Sequence, residues 1–539
     1  MKKRILALLL TAAMAAGLLA GCGGTPSQSG APGTDAPGNS FSVDDKTVIE
    51  AGSETIADKL TDDGWLVMGV NAASVGFDPT TDQNYYGIPL VYDSLFTYDN
   101  DGEIVGLLAK EWEWIDDTHL QITLQPDATF SNGDPVTSED ALYSLERYFT
   151  EGSRWSTYFT SIDFESSQIV DDKTFIIAYS EVCGPALQYL AIRHSSVLNK
   201  AYCESSGDDA FWDGFPCSGA YTCLENVSGS YATFQRRDDY WGAQPQAEFI
   251  KIIYYTETTT MMVDYENGSL DLVIGITDND VNRIQNGEVD HTNLVVMGYF
   301  NQYSLSLPEY NPVFDDIRVR QAIAHAIDAE AVAMAAFGTL YQTSTSTLPA
   351  DIPFHIDVGQ YEYDPELAKQ LLEEAGYSAG DLSFRMIVVN FPYLVSMAEA
   401  IQAYLEAVGI TMTVEPYAQP VAVGYIQEGQ SDVVINNNAE GVISADADQW
   451  YNTTKSNSTN ASVMISDETY NSYLQTGIST LDQEVRQEAY ENAQQWMYDN
   501  CRMIPICDGL KAYAYKDYIT NADCYTPITL NLREVTFAS

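Results

Sequence analysis

The stretch NPVFDDIRVRQAIAHAID, residues 311–328, places Asp315, Asp316, Arg318, Arg320, His325 and Asp328 within fourteen positions. Acids, guanidiniums and an imidazole at that density are the groups that general acid–base catalysis uses. The apolar residues between them point elsewhere. Val319, Ala322, Ile323, Ala326 and Ile327 recur at spacings of three and four, the stripe of a helix with one buried face. Asp315 or Asp316 is suited to cap its start, where a carboxylate also meets the positive end of the helix dipole. Asp328 caps a following helix, AEAVAMAAFG, which Gly338 ends. Arg318 and Arg320 fall outside the stripe, placed to pair with nearby acids or to reach a neighbouring lobe, and His325 sits on its flank. The expectation is a structural pair of helices, not a catalytic centre.

Other reactive patterns are missing as well. The chain has no G-x-S-x-G elbow, no H-E-x-x-H and no glycine-rich phosphate loop. His119, His194, His291, His325 and His355 stand in unrelated contexts. The run TDNDVNRIQNGE (277–288) begins like a calcium loop, but Arg283 occupies the place of the tight-turn glycine and Val289 that of the bidentate glutamate. It reads as a helix start. Apart from Cys22, the cysteines are Cys183, Cys203, Cys217, Cys223, Cys501, Cys507 and Cys524, an odd set. The pairs 217/223 and 501/507 lack zinc spacing, which leaves disulfides or buried free thiols. No catalytic residue, metal ligand or cofactor site is expected.

The ends set the location. Lys2, Lys3 and Arg4 precede an apolar run from Ile5 to Ala20, too short for a stable span, and the run closes on Leu19-Ala20-Gly21-Cys22. This is the order of a bacterial lipoprotein signal, with Cys22 becoming the acylated first residue. Residues 23–46 are rich in Gly, Ser and Pro and read as a tether. A net charge of −52 argues against nucleic acid and against anionic membrane as partners.

Between the ends, strands and helices alternate. DGWLVMGV (63–70), HLQITLQP (119–126), SYATFQRRDDYWG (230–242, with a turn) and EFIKIIYY (248–255) carry strand patterns. PVTSEDALYSLERYF (135–149) is a helix with Thr137 and Asp140 as a capping box. YDPELAKQLLEEAGY (363–377) has Asp364 as N-cap, Pro365 in the first turn and Gly376 as the stop. The strand 382–389, helix 396–409 and strand 410–417 form a βαβ unit, and hence a parallel pair in an α/β fold.

Four blocks, in order, resemble one family. They are LLAKEWEWIDDTHLQITLQPDATFSNGDPVTSEDALYSLER (107–147), CSGAYTC…FQRRDDYWG (217–242), NGSLDLV (267–273) with FDDIRVRQAIAHAID (314–328), and YEYDPELAKQLLEEAGY (361–377). Together they resemble the family 5 extracytoplasmic solute-binding proteins of peptide- and nickel-type ABC importers. The resemblance implies a two-lobed α/β fold of the periplasmic-binding-protein type. Lobe I would comprise 47–290 and 505–539, with an inserted subdomain at about 85–205. Lobe II would be 291–504. It implies a monomer, held to the membrane outside the cytoplasm by its lipid alone, that closes on a peptide-like solute and meets a permease–ATPase complex.

In peptide-binding relatives a G-W-x-x-D stretch supplies an aspartate for the solute's ammonium. The matching stretch here is DVVINNNAEGVISADADQWYN (432–452), where Asn438 stands for the tryptophan and Gly441 falls at the aspartate position. Glu440 is a substitute, and Asp446 or Asp448 can reach in. Asn436, Asn437, Trp450 and Tyr451 join them as candidate contacts, with Asn71, Phe77, Tyr85 and Tyr86 on the opposite lobe. The polar asparagine run suits other solutes too, such as an oligosaccharide, a nickel chelate or haem. A ligand-sensing lipoprotein without a transporter is a further reading, and an exported hydrolase has no motif behind it. The chain is therefore expected to turn over no peptide, ester or glycoside. Catalysis that one point mutation removes would contradict the binding-protein reading.

Overall fold

The computed structural model describes residues 47–49 and 64–538, apart from 73–75, 83, 100–101, 151–152, 154, 193–194, 207–213, 438–444, 459, 523–524 and 527–528. Cys22, the signal segment and the tether lie outside the described residues. Among the described residues no helix is long and apolar enough to cross a membrane.

The sequence reads WLVMGV as a strand, and it forms one at Trp65–Val70, parallel to Phe249–Tyr254 and to Leu272–Ile274. These belong to a ten-stranded sheet whose other edge is built by Tyr231–Arg236 and Tyr221–Val227. Two long antiparallel strands, Thr292–Ser306 and Met503–Lys516, continue that sheet into the second lobe. Their residues change core along their length. Val295, Met297, Tyr513 and Tyr515 pack with Leu66 and Ile250. Tyr303, Leu305, Ile504 and Ile506 pack with the helices Ile317–Ala326 and Pro392–Ala407. A register shift between Gly298 and Asn301 marks the passage. Gly298 is required there, because a Cβ would lie 1.8 Å from the Asp351 carboxylate.

The segment between the first strands and residue 205 makes its own four-stranded sheet, in the order Ala109–Asp116, His119–Leu124, Thr174–Ala178, Gln168–Ile169. The capped helix Ser138–Phe149 belongs to this segment, and Thr137 and Asp140 make the reciprocal hydrogen bonds of a capping box. In the second lobe Ser383–Val389 and Thr411–Tyr417 pair in parallel, as the βαβ pattern requires. Their connecting helix starts at Pro392, earlier than the apolar spacing indicated, because proline fits the first turn of a helix.

The stretch 311–328 is structural. Asp316 caps Ile317–Ala326 and Asp328 caps Ala329–Phe337, each accepting from a first-turn amide. Arg318 pairs with Asp316 at the surface. Arg320 departs from expectation. It is buried, and its guanidinium donates to the carbonyls of Phe314, Asp315 and Asn500. It thus fastens the helix to the end of Gln483–Asn500. The TDND run also caps a helix, with Thr277 and Asp280 as the box, while Asp278 accepts from the Thr339 amide at 2.8 Å. Cys183, Cys203, Cys217, Cys501 and Cys507 are buried thiols, not disulfides. Burial pushes Cys183 and Cys217 up to about 12.

Replacing Arg320 by Met removes the donor of the part-buried Asp315 and Asn500 carbonyls and one of the two donors of the Phe314 carbonyl, which Arg502 still reaches, and is expected to cost about 2–4 kcal/mol in denaturant unfolding. Arg318→Ala should hardly move the same midpoint, since its ion pair lies in water. Equal losses for the two variants would contradict this assignment.

Candidate functional site

Two walls of one hydrophobic core meet where the segment of the four-stranded sheet packs against the helix 447–452 and its neighbours. The first wall comes from the turn Ser156–Phe159 and the helix Ala186–Ala191. Tyr158 and Tyr189 project from them, both almost wholly buried, with ring centroids 5.1 Å apart at 80°. The second wall is the short helix Ala447–Asn452, held by Asp446 as its N-cap. Tyr189 Oη donates to Asp448 Oδ2 between the two walls. Beside this contact the Gly184 amide donates to the Ile478 carbonyl at 2.7 Å. Gly184 has to be glycine, because a Cβ would sit 2.6 Å from the Thr480 carbonyl oxygen.

The two aspartates on the second wall differ in their electrostatics. Asp446 is fully buried and meets Arg486, also fully buried, through two hydrogen bonds of 2.8 and 2.9 Å. Arg486 donates as well to the Gly477 carbonyl and lies 5.1 Å from the Phe354 ring centroid. Asp446 is therefore already neutralised. Asp448 is 5% exposed and, among the described residues, has no ion pair of its own. Burial above all pushes its carboxyl up to about 6, with the negative charge of Asp446 adding to it and the Tyr189 hydrogen bond working against it. The phenols around it are raised for the same first reason. Tyr158 also feels Tyr85 and Asp448, and Tyr98 feels Asp446.

Some of the expected contacts come together here and others do not. Tyr85, Tyr86 and Tyr98 line a cavity of about 650 Å³ with Tyr240, Trp241 and Arg533. Tyr86 accepts from Lys511 Nζ at 3.2 Å, Lys511 lying on the crossing strand. Asn71 is exposed and donates to Thr258 Oγ1 at 2.8 Å. Asn436 and Asn437 extend the sheet beside Ser304 and Tyr303. Asn438 and Glu440 lie outside the described residues, and of Trp450 only its place in the helix 447–452 is described.

Three expected contacts are structural instead. Phe77 is 1% exposed and packs between Phe215 and Phe234, each 5.8 Å away. Tyr451 is buried and stacks on Tyr490 at 5.9 Å. Asp446 is spent on Arg486. Large rings gain from burial in a core, and Arg486 compensates the charge that Asp446 carries there.

Tyr158 and Tyr189 escaped sequence reasoning. They stand on a single turn and a short helix, with no motif, and only the tyrosine-rich composition hints at them. Arg486→Met is expected to strand the Asp446 charge and to cost about 3–5 kcal/mol in unfolding free energy, whereas Asp446→Asn with Arg486→Met should recover part of it. Additive losses in that double variant would refute the pairing.

The sequence pattern described as "Bacterial extracellular solute-binding proteins, family 5 Middle" matches residues 103–460. A putative ABC transporter peptide-binding protein of Brucella ovis is 27% identical over 358 residues, covering 63% of this chain and 66% of that protein. The nickel-binding periplasmic protein of Escherichia coli K12 is 26% identical over 356 residues, covering 61% and 66%. The chain thus spans about two thirds of the length of the curated relatives it matches. The crystal structure of the ABC transporter substrate-binding protein CtaP of Listeria monocytogenes superposes with a TM-score of 0.78, at 19% identity, covering 88% of this chain and 99% of that one. That likeness establishes the two-lobed fold. With the pattern spanning well over half of the sequence, the chain belongs to family 5 of the bacterial extracellular solute-binding proteins.

Proposed function

We propose that this protein is a lipid-anchored receptor that captures a peptide-like solute between its lobes and delivers it to the permease of an ABC importer. The observation that carries this reading is the pair of walls meeting through Tyr189 and Asp448 while, among the described residues, two strands lead the sheet from one lobe into the other. Lobe I then comprises 47–290 and 505–539, and lobe II 291–504, with the inserted subdomain supplying the wall that carries Tyr158 and Tyr189. A solute that touches both walls shifts the population toward the closed form, and the closed form is what a transporter can recognise. No step makes or breaks a covalent bond. The acyl group on Cys22 and the tether keep the receptor at the membrane.

We place solute contacts at Asn71, at the rings of Tyr85 and Tyr86, and at the stretch from Asn436 through Glu440 to Trp450. The cavity beside Tyr85 and Tyr86 then receives a side chain of the solute, since aromatic faces with a few polar groups suit a varied apolar payload. A second reading has one observation in its favour. Asn438 replaces the tryptophan of the peptide-binding pattern, and amide groups suit hydroxyl-rich or chelated solutes equally well.

Native mass spectrometry of the chain purified from its own source tests both readings. The expected result is an added mass that fragments as a peptide and is lost on mild unfolding, together with a smaller radius of gyration when it is present. An added sugar or metal chelate would favour the second reading. Absence of any bound mass, with no compaction across a screen of peptides, sugars and nickel chelates, would overturn the proposal.

A further inference from the structure

Among the described residues Asp448 forms no ion pair at the wall-to-wall contact, while its neighbour Asp446 is paired with Arg486. We propose that Asp448 makes closure proton-linked: the lobes close on its neutral carboxyl, so that acid favours the closed form. The inference rests on the solute-binding reading, in which these two walls separate on opening.

The groups facing Asp448 come from every element packed around it. Tyr189 and Cys183 approach from the inserted subdomain, and Tyr158 from the turn before it. Asp446 precedes it on its own helix, and Arg486 and Tyr490 face it from Gln483–Asn500. Lys455 follows it in the chain. Arg486 is committed to Asp446 through both carboxylate oxygens, and Lys455 is only half-buried. The remaining faces are phenols and a thiol, which burial keeps protonated. A carboxylate here thus has the charge of Asp446 beside it and, among the described residues, no dedicated counter-ion, whereas a carboxylic acid fits as it stands and still accepts from Tyr189.

The direction of the pH dependence follows. In the closed form burial, helped by the Asp446 charge, outweighs the Tyr189 hydrogen bond that favours the carboxylate, and Asp448 is pushed up to about 6. Once the walls part, water reaches it and it returns to the usual carboxylate range, about 4. Its neutral form is therefore favoured by closure. The stabilisation of the closed form is complete below about pH 4 and is lost as pH rises through about 6. The closed-to-open ratio should be about tenfold higher at about pH 5 than at about pH 7.5.

A photo-crosslink reads this ratio even when few molecules are closed. Benzoylphenylalanine placed at Ser479, exposed beside the Gly184–Ile478 contact, should capture the segment 181–190 in the solute-free full chain. Its photochemistry does not depend on pH in this range. The expected yield is about tenfold higher at about pH 5. Asp448→Asn, a permanently neutral mimic, should give the high yield at both pH values. Tyr189→Phe, which removes the phenol but leaves the carboxyl buried, should lower the yields and keep the pH response. Equal yields at both pH values with Asp448 present, or an undiminished response in Asp448→Asn, would overturn the proposal. If solute still compacts the chain in that case, only the proton linkage falls. If the yield is high and constant and no solute compacts the chain, the walls never part and the solute-binding reading falls with it.

Discussion

Everything in this molecule is arranged around one hydrogen-bonded ladder, Thr292–Ser306 against Met503–Lys516. It is the route by which the main sheet passes from the first lobe into the second, and each strand contributes side chains to the cores on both sides. A ladder of this length resists stretching and shear, because each displacement breaks backbone bonds that have no other buried partner. It yields more readily where pairing is already interrupted, at the shift between Gly298 and Asn301. A fold built this way confines relative motion of its lobes to bending or twisting near that point. Hence contacts far from the ladder, such as Tyr189 with Asp448, would open most when it bends.

Charge is handled in two ways. Most of the acids behind the net charge of −52 lie in water, where they keep the chain soluble. The few that are buried are committed individually: Asp446 to Arg486, Asp93 to Arg533 and Tyr240, and Asp271 to the Val67 amide and Tyr518. Asp448 and Asp508 stand apart among the described carboxyls because burial pushes each up to about 6. One sits on the contact between the walls and the other on the crossing ladder. An uncompensated buried acid is costly when ionised, so both are sensitive to whatever exposes them.

How far the sequence could be read depended on the range of the interactions. Caps and stops are decided within a few residues and the parallel pair within about thirty, and so Thr137, a cap at Asp315 or Asp316, Asp328, Asp364 and Gly376 are legible in the sequence. The burial of Arg320 is not, because its acceptors include Asn500, far along the chain. The same holds for the site. Asp446 and Asp448 look equivalent in SADADQWYN, and only Arg486, forty residues on, separates a neutralised carboxylate from a free-standing one. Phe77 and Tyr451 were placed in a cleft by analogy of position, yet long-range packing partners draw both rings into cores. The order of the four family blocks carried the fold where local periodicity could not.

The central claim is that two walls close over a solute while the crossing ladder stays intact. Hydrogen–deuterium exchange on the chain with and without its co-purified solute tests it most directly. The claim predicts that amides of 183–190 and 476–480 exchange more slowly with solute bound, the Gly184 amide among them, while paired amides of 292–298 and 510–516 remain protected in both states. Unchanged exchange at 183–190 and 476–480 with a solute demonstrably bound, or loss of protection along the crossing strands, would contradict it.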